Sequence, residues 1–170
     1  MKKLVITKDD DRLQTLKRLI EKQNRITLIL WGLECAESVL RIFESSYPQD
    51  KRPCKAIEAA EAWAHGEIKI PTARKAALAS HKAASEIAGE NLAACAAART
   101  MGHLVGIVHV KTHAMGFVIY ALTAFVYANE QRNVDEVIVE RINWLFNRLQ
   151  YWTENSCKVD TNWTSFLIKE

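Results

Sequence analysis

The sequence predicts an all-α protein, a single-domain antiparallel bundle of about six to eight helices. Apolar residues recur at three- and four-residue spacing along most of the chain. Alanine supplies 17 of the 43 residues from Ala56 to Ala98, which favours helix and lets helix axes approach closely. No strand-rich block, Gly-Ser linker or exact repeat interrupts the pattern. The 170 residues suit one domain, residues 1–170, with enough chain to bury a continuous core without disulfides, metal or an obligatory partner.

The elements follow in order. Residues 9–23 begin with Asp9, Asp10 and Asp11, acids at the positive end of a helix dipole, and place Leu13, Leu16, Leu19 and Ile20 at helical spacing. A second helix runs from Ile26 to Phe43, until Ser45-Ser46-Tyr47-Pro48 breaks it. Pro53 is placed to open a third, which Gly66 ends; Pro71 opens a fourth, which ends near Gly89. Asn91 to Asn129 is too long for one typical helix in a domain of this size, and the expected break is near Val110. The last long helix covers about Val134 to Glu154, with Val137, Ile138, Ile142, Leu145, Leu149 and Trp152 on its apolar stripe. Residues 155–170 form an apolar tail with Trp163, Phe166, Leu167 and Ile168, expected to dock on the body, beside Leu4-Val5-Ile6, or on a second subunit.

Composition narrows the class. A formal charge of +3 without a concentrated basic stripe points to neither a nucleic-acid nor a membrane partner. Lys17, Arg18, Lys22 and Arg25 make a modest patch, but acids intervene and no aromatics interleave to stack bases. Ala114 to Ala128 has 15 uncharged residues, short of the roughly 20 that span a bilayer, and reads as a buried helix. The first eight residues carry only a three-residue apolar run before the acids, which predicts no signal peptide and a cytoplasmic protein. Cys35, Cys54, Cys95 and Cys157 are widely spaced and read as reduced core residues. Trp31, Trp63, Trp144 and Trp152 fall within helices where they fill a core, leaving Trp163 as the exposed interface anchor.

Chemistry concentrates in residues 91–129, where Arg99 and Lys111 are the only residues among Asp, Glu, Lys and Arg, yet three histidines occur. Polar groups in so apolar a segment need partners. On a helix, Arg99 and His103 share one face, as do His109 and His113, with Gly116 and Tyr120 continuing that second stripe. Two outcomes are open. Arg99 pairs with Glu34, Glu37 or Glu58 and the histidines bond to backbone carbonyls, or these side chains line a pocket for a small ligand. His109-x-x-x-His113 also has the spacing for a shared metal, with a third imidazole from His65, His81 or His103. No Glu follows His109 and no Glu-x-x-His occurs, so neither a metalloprotease nor a di-iron bundle is indicated, and no metal or other cofactor is assigned. No Gly-x-Ser-x-Gly elbow, phosphate-cradling glycine loop or spaced Cys-His pair supports a catalytic residue.

Several segments together resemble the bacterial Imm-5-like family of immunity proteins, some of which carry an exonuclease label. They are Leu30-Trp31-Gly32-Leu33-Glu34-Cys35-Ala36-Glu37, Tyr47-Pro48 to Arg52-Pro53, and Lys55-Ala56-Ile57-Glu58-Ala59-Ala60 through Trp63 to Gly66-Glu67-Ile68. A second group is Ala93-Ala94-Cys95-Ala96-Ala97-Ala98-Arg99, Gly102-His103, His109-Val110, His113-Ala114 and Tyr120-Ala121, with Glu140, Trp144 and Leu149. The resemblance covers roughly residues 28–150. It implies an all-helical protein encoded beside a toxin that it binds and neutralises, and the expected function is a non-enzymatic binding module. The binding residues it implies are Trp31, Glu34, Cys35, Arg99, His103, His109 and His113, to which the helical stripe adds Tyr120. Inhibitors of nuclease toxins are commonly acidic, so the slight positive charge does not favour a nuclease target. A ligand-binding bundle and a homo-oligomer formed through the tail are the alternatives.

Overall fold

The computed structural model describes residues 4–159 and 161–169; Met1 to Lys3, Asp160 and Glu170 lie outside the described residues. Among the described residues eight α-helices follow one another: α1 (Gln14–Lys22), α2 (Arg25–Glu44), α3 (Arg52–Ala64), α4 (Ile70–Glu86), α5 (Leu92–His109), α6 (His113–Tyr127), α7 (Val134–Asn155) and the single turn α8 (Ser165–Ile168). The described residues contain no strand, in keeping with the all-α expectation. The first helix differs from its predicted span: Asp11–Leu13 wind as a 3-10 turn before α1 begins. Asp10 explains the tighter start, because its carboxylate accepts the Arg12 backbone N–H at 3.0 Å and also pairs with the Arg12 guanidinium. Side-chain caps open three longer helices. Asn24 accepts from Thr27 N–H at 2.8 Å, Asn91 from Ala94 N–H at 2.9 Å, and Asn133 from Asp135 and Glu136 N–H. Gly66 ends α3 in the left-handed region at φ 78°, where a side chain would be strained.

Helix α5 is the axis of the molecule. It packs most extensively on α6, then on α2 and α4, and also on α3. Its run Ala94 to Ala98, with Gly102, leaves little side chain between neighbouring axes. Buried hydroxyls are satisfied within this packing: Thr100 donates to the Ala96 carbonyl at 2.9 Å, and Ser80 of α4 donates across to Ala98 at 2.7 Å. Large side chains fill the space beyond the alanines, with Trp31 of α2 tilted against Phe117 of α6, ring centroids 5.5 Å apart. Helix α7 closes the other side, packing on α2 and α6.

The predicted break at Val110 is present. Its N–H still donates to the Gly106 carbonyl, but its backbone is extended, and α6 starts three residues later. With 15 residues, α6 is a buried helix, and among the described residues no helix is long and apolar enough to cross a membrane. Cysteines 35, 54, 95 and 157 are free thiols; Cys35 and Cys95 are buried, whereas Cys157 is exposed in a 3-10 turn after α7, contrary to its core assignment. The tail after that turn runs against the end of α3 and the start of α2. Thr164 N–H donates to the Ala64 carbonyl at 2.8 Å, Arg25 donates to the Phe166 carbonyl at 2.8 Å, and Leu167 is buried. Trp163, expected to be exposed, is half-buried beside His65 at 5.3 Å between ring centroids. Leu4 lies near Leu92, Tyr120 and Tyr127, at the start of α5.

Candidate functional site

The residues singled out by sequence separate into three places, and among the described residues one of them gathers polar side chains that are not paired with one another's opposite charge. Trp31, Glu34 and Cys35 sit on α2 and serve its seam with α7. Trp31 is fully buried and its Nε1 donates to the Leu145 carbonyl at 3.0 Å. Glu34 accepts from Arg148 at 2.7 Å through one carboxylate oxygen and from Trp152 Nε1 at 2.5 Å through the other. Arg99 therefore does not pair with Glu34; Glu37 and Glu58, the other proposed partners, are exposed. Burial pushes the Cys35 thiol far above its ordinary value, which makes it a packing residue and a poor nucleophile. Replacing Glu34 by alanine should cost about 2 kcal/mol in a urea melt, because half-buried Arg148 and Trp152 Nε1 both lose their acceptor. A loss below about 0.5 kcal/mol would show that solvent replaces the carboxylate at this seam.

His109 is the second place. It ends α5, is exposed, and stacks on Trp63 of α3 at 6.1 Å with the rings 26° apart. The expected His109–His113 pair does not form, because the chain breaks between them and α6 turns back antiparallel to α5. His113 then meets a residue ten positions earlier instead of four: its Nδ1 lies 3.3 Å from Nδ1 of His103.

The third place is the surface shared by α4, α5 and α6, where His81, Arg99, His103, His113 and Tyr120 converge. The His103 ring stacks on Tyr120 at 5.2 Å and meets His81 nearly edge-on at 5.6 Å, and the Arg99 guanidinium lies over Tyr120 at 5.8 Å. Three glycines make the room. His103 of α5 sits against Gly116 of α6, His113 of α6 against Gly106 of α5, and His81 of α4 against Gly102 of α5, each ring occupying the space a Cβ would fill. The first two contacts are reciprocal, one histidine and one glycine from each helix, and they set the antiparallel register in which Arg99 reaches Tyr120. His113 is exposed, while the other four are half-buried, so the cluster opens to solvent on the α6 side.

Arg99 is the permanent charge of the cluster, and each Coulombic influence on its rings disfavours their protonation. Burial is the main cause that lowers the proton affinity of all three imidazoles, taking His103 from 6.5 to about 4, and the neighbouring cations lower them further. Arg99 acts on His81 and His103, His113 on both, His81 on His103, and His109 on His113; no carboxylate contributes. The sequence offered His81 only as one of three candidates for a third imidazole; its neighbourhood with His103 and Arg99 shows only in the fold, where Gly102 lies across from it. Among the described residues no group of three or more His, Cys, Asp or Glu is placed to hold a metal ion, so the three-imidazole metal alternative lacks its geometry.

Packing at the glycines is testable. Gly116→Ala would drive a methyl into the His103 ring and should destabilise by about 2 kcal/mol, whereas Gly106→Ala should cost less because exposed His113 can swing out. Combining Gly116→Ala with His103→Ala should recover much of the loss, and additive effects in that cycle would refute the contact.

No protein of curated function and no solved structure matches the chain. The family model described as Imm-5 like putative immunity protein matches residues 18–151, from within α1 to within α7 and through all three places above, and the chain belongs to that family.

Proposed function

We propose that this protein is an immunity factor that binds a toxin protein and neutralises it by covering its surface, without catalysis of its own. Family membership across residues 18–151 is the observation that carries the proposal. The exposed face of α4 supplies a contact surface of suitable chemistry. Ile70 and Leu78 are 51% and 57% exposed there, and Arg74, Lys75 and Lys82 stand exposed around them. The only acid of α4, Glu86, lies at its last residue and is engaged by Arg52 and Lys82. An apolar centre inside a basic rim fits a partner surface that is apolar and acidic, with the charges steering encounter and Leu78 supplying buried area.

Co-expression with the product of the neighbouring reading frame tests this directly. Growth should be arrested by that product alone and restored by this chain, and Leu78→Asp should lose the protection while leaving the melting curve unchanged. Equal arrest with and without the chain would end the immunity proposal; full protection by Leu78→Asp would keep it and move the contact elsewhere.

A further inference from the structure

We propose that Arg99, His81, His103 and His113 form a binding site for one small oxyanion, of the phosphate or carboxylate kind, at the surface where α4, α5 and α6 meet. The site goes beyond toxin binding and belongs to the isolated chain. Arg99 is the first reason. Six arginines of the described residues are half-buried, at positions 12, 25, 52, 99, 141 and 148. Five of them make hydrogen bonds or ion pairs: Arg12 with Asp10, Arg25 with main-chain carbonyls, Arg52 with Asp50, Arg141 with Glu140 and Arg148 with Glu34. Arg99 makes none among the described residues; its guanidinium lies over the face of Tyr120, and its buried Nε has no hydrogen-bond partner. A planar, permanently charged donor fork held in that state matches an oxyanion in both charge and geometry.

The imidazoles supply the remaining donors. Nδ1 of His81 is buried without a partner, and the Nδ1 atoms of His103 and His113 face each other at 3.3 Å. When both of those rings are neutral, one Nδ1 carries the shared proton and the other accepts it. A proton added to the accepting ring places two N–H groups face to face, which is unfavourable unless an acceptor with lone pairs for both comes between or beside them. An anion at Arg99 would supply that acceptor and also offset the positive field that holds the three rings neutral. The charged and titratable groups facing the site are His81 from α4, Arg99 and His103 from α5, and His113 and Tyr120 from α6, with His109 acting on His113 from the end of α5. Among the described residues no carboxylate perturbs the rings, and none of them offsets the charge of Arg99. The seats at Gly102 and Gly116 hold the half-buried His81 and His103 rings before any ligand arrives, which limits the ordering cost of binding.

Binding should therefore be coupled to proton uptake. The test is titration of the full-length chain with inorganic sulfate, whose charge is constant near neutrality, and in parallel with acetate, following the imidazole nitrogens by NMR and the heat in buffers of different ionisation enthalpy. The expected result is a saturable shift of the His81, His103 and His113 signals together, with heat that depends on buffer and affinity that rises as pH falls below 6.5. A preference for sulfate assigns the site to phosphate-like ligands, and a preference for acetate assigns it to carboxylates. Arg99→Gln and His103→Gln should each weaken binding at least tenfold, Arg99→Lys should weaken it less, and Arg18→Gln on the exposed face of α1 should have no effect. Absence of a saturable shift in the unaltered chain, an equal response to chloride, or undiminished binding by Arg99→Gln would overturn the site. None of these outcomes bears on growth protection, so failure here and failure of the immunity proposal are read separately.

Discussion

Trp31→Ala should be the most damaging single substitution in the candidate set, costing about 3–5 kcal/mol in a chemical unfolding curve. The indole is 0% exposed, packs on Phe117 at 5.5 Å between ring centroids and donates to the Leu145 carbonyl at 3.0 Å. Removing it opens a cavity where α2, α6 and α7 meet and deletes a hydrogen bond that ties α2 to α7. Against a total stability of about 5–15 kcal/mol for a domain of this size, that loss is a large share of the whole. Trp31→Phe separates the contributions, since it keeps most of the ring and loses the Nε1 donor, and should cost about 1 kcal/mol. The functional consequence follows from the placement. Trp31→Ala should lose growth protection because less folded protein is present, whereas Trp31→Phe should protect fully. A Trp31→Ala protein within about 1 kcal/mol of the parent would remove this residue from the core account. A Trp31→Phe protein that is stable yet gives no protection would instead return it to the binding surface.

The same residue illustrates what the sequence could and could not disclose. Helical period, the proline openings at 53 and 71 and the stop at Gly66 depend on local chemistry, and the helices α2, α3 and α7 lie close to where those signals place them. The Val110 break was legible because 39 residues without a turn are too many for one helix here, even though no proline or glycine marks the position. What lay beyond reach was the rotation that the break introduces. A four-residue spacing implies a shared face only while one helix continues, so His109–His113 looked like a pair when in fact the chain reverses between its members. The actual partners of His113 are His103 and Gly106, which meet it through the antiparallel register of α5 and α6. His81 comes from a helix separated by a loop from the other two and carries no periodic signal that distinguishes it. Glycine held the missing information: nothing in the sequence pattern tells that Gly102, Gly106 and Gly116 are each a seat for an imidazole from another helix. Glu34 shows the opposite case, a side chain marked as functional whose two oxygens are both occupied in holding α7.

Those seated imidazoles predict a second large effect, a loss of stability in mild acid. His103 binds its proton with an ordinary value of 6.5 when unfolded and about 4 when folded, chiefly because the folded ring is desolvated and secondarily because His81, His113 and Arg99 surround it. The unfolded chain therefore takes up the proton first as pH falls. The stability that His103 contributes is complete above 6.5, declines through the interval below it, and is fully lost near 4. At about 1.4 kcal/mol for each tenfold change in proton affinity, the loss from this ring alone is about 3 kcal/mol. His81 and His113 shift in the same direction and steepen the decline. The paired carboxylates do not obscure it, because Asp10, Asp50, Glu86 and Glu140 are all lowered from ordinary values of 3.8 or 4.5 and lose their contribution only below that range. Urea midpoints measured between pH 6.5 and about 4.5 should thus report the imidazoles almost alone, and His103→Gln should flatten the slope. A parent protein with no slope in that interval, or a His103→Gln protein with an unchanged one, would mean that the rings are hydrated in solution. Sulfate adds an independent check on the same groups: an anion that binds the protonated cluster should restore part of the stability lost in acid, and the restoration should disappear in Arg99→Gln.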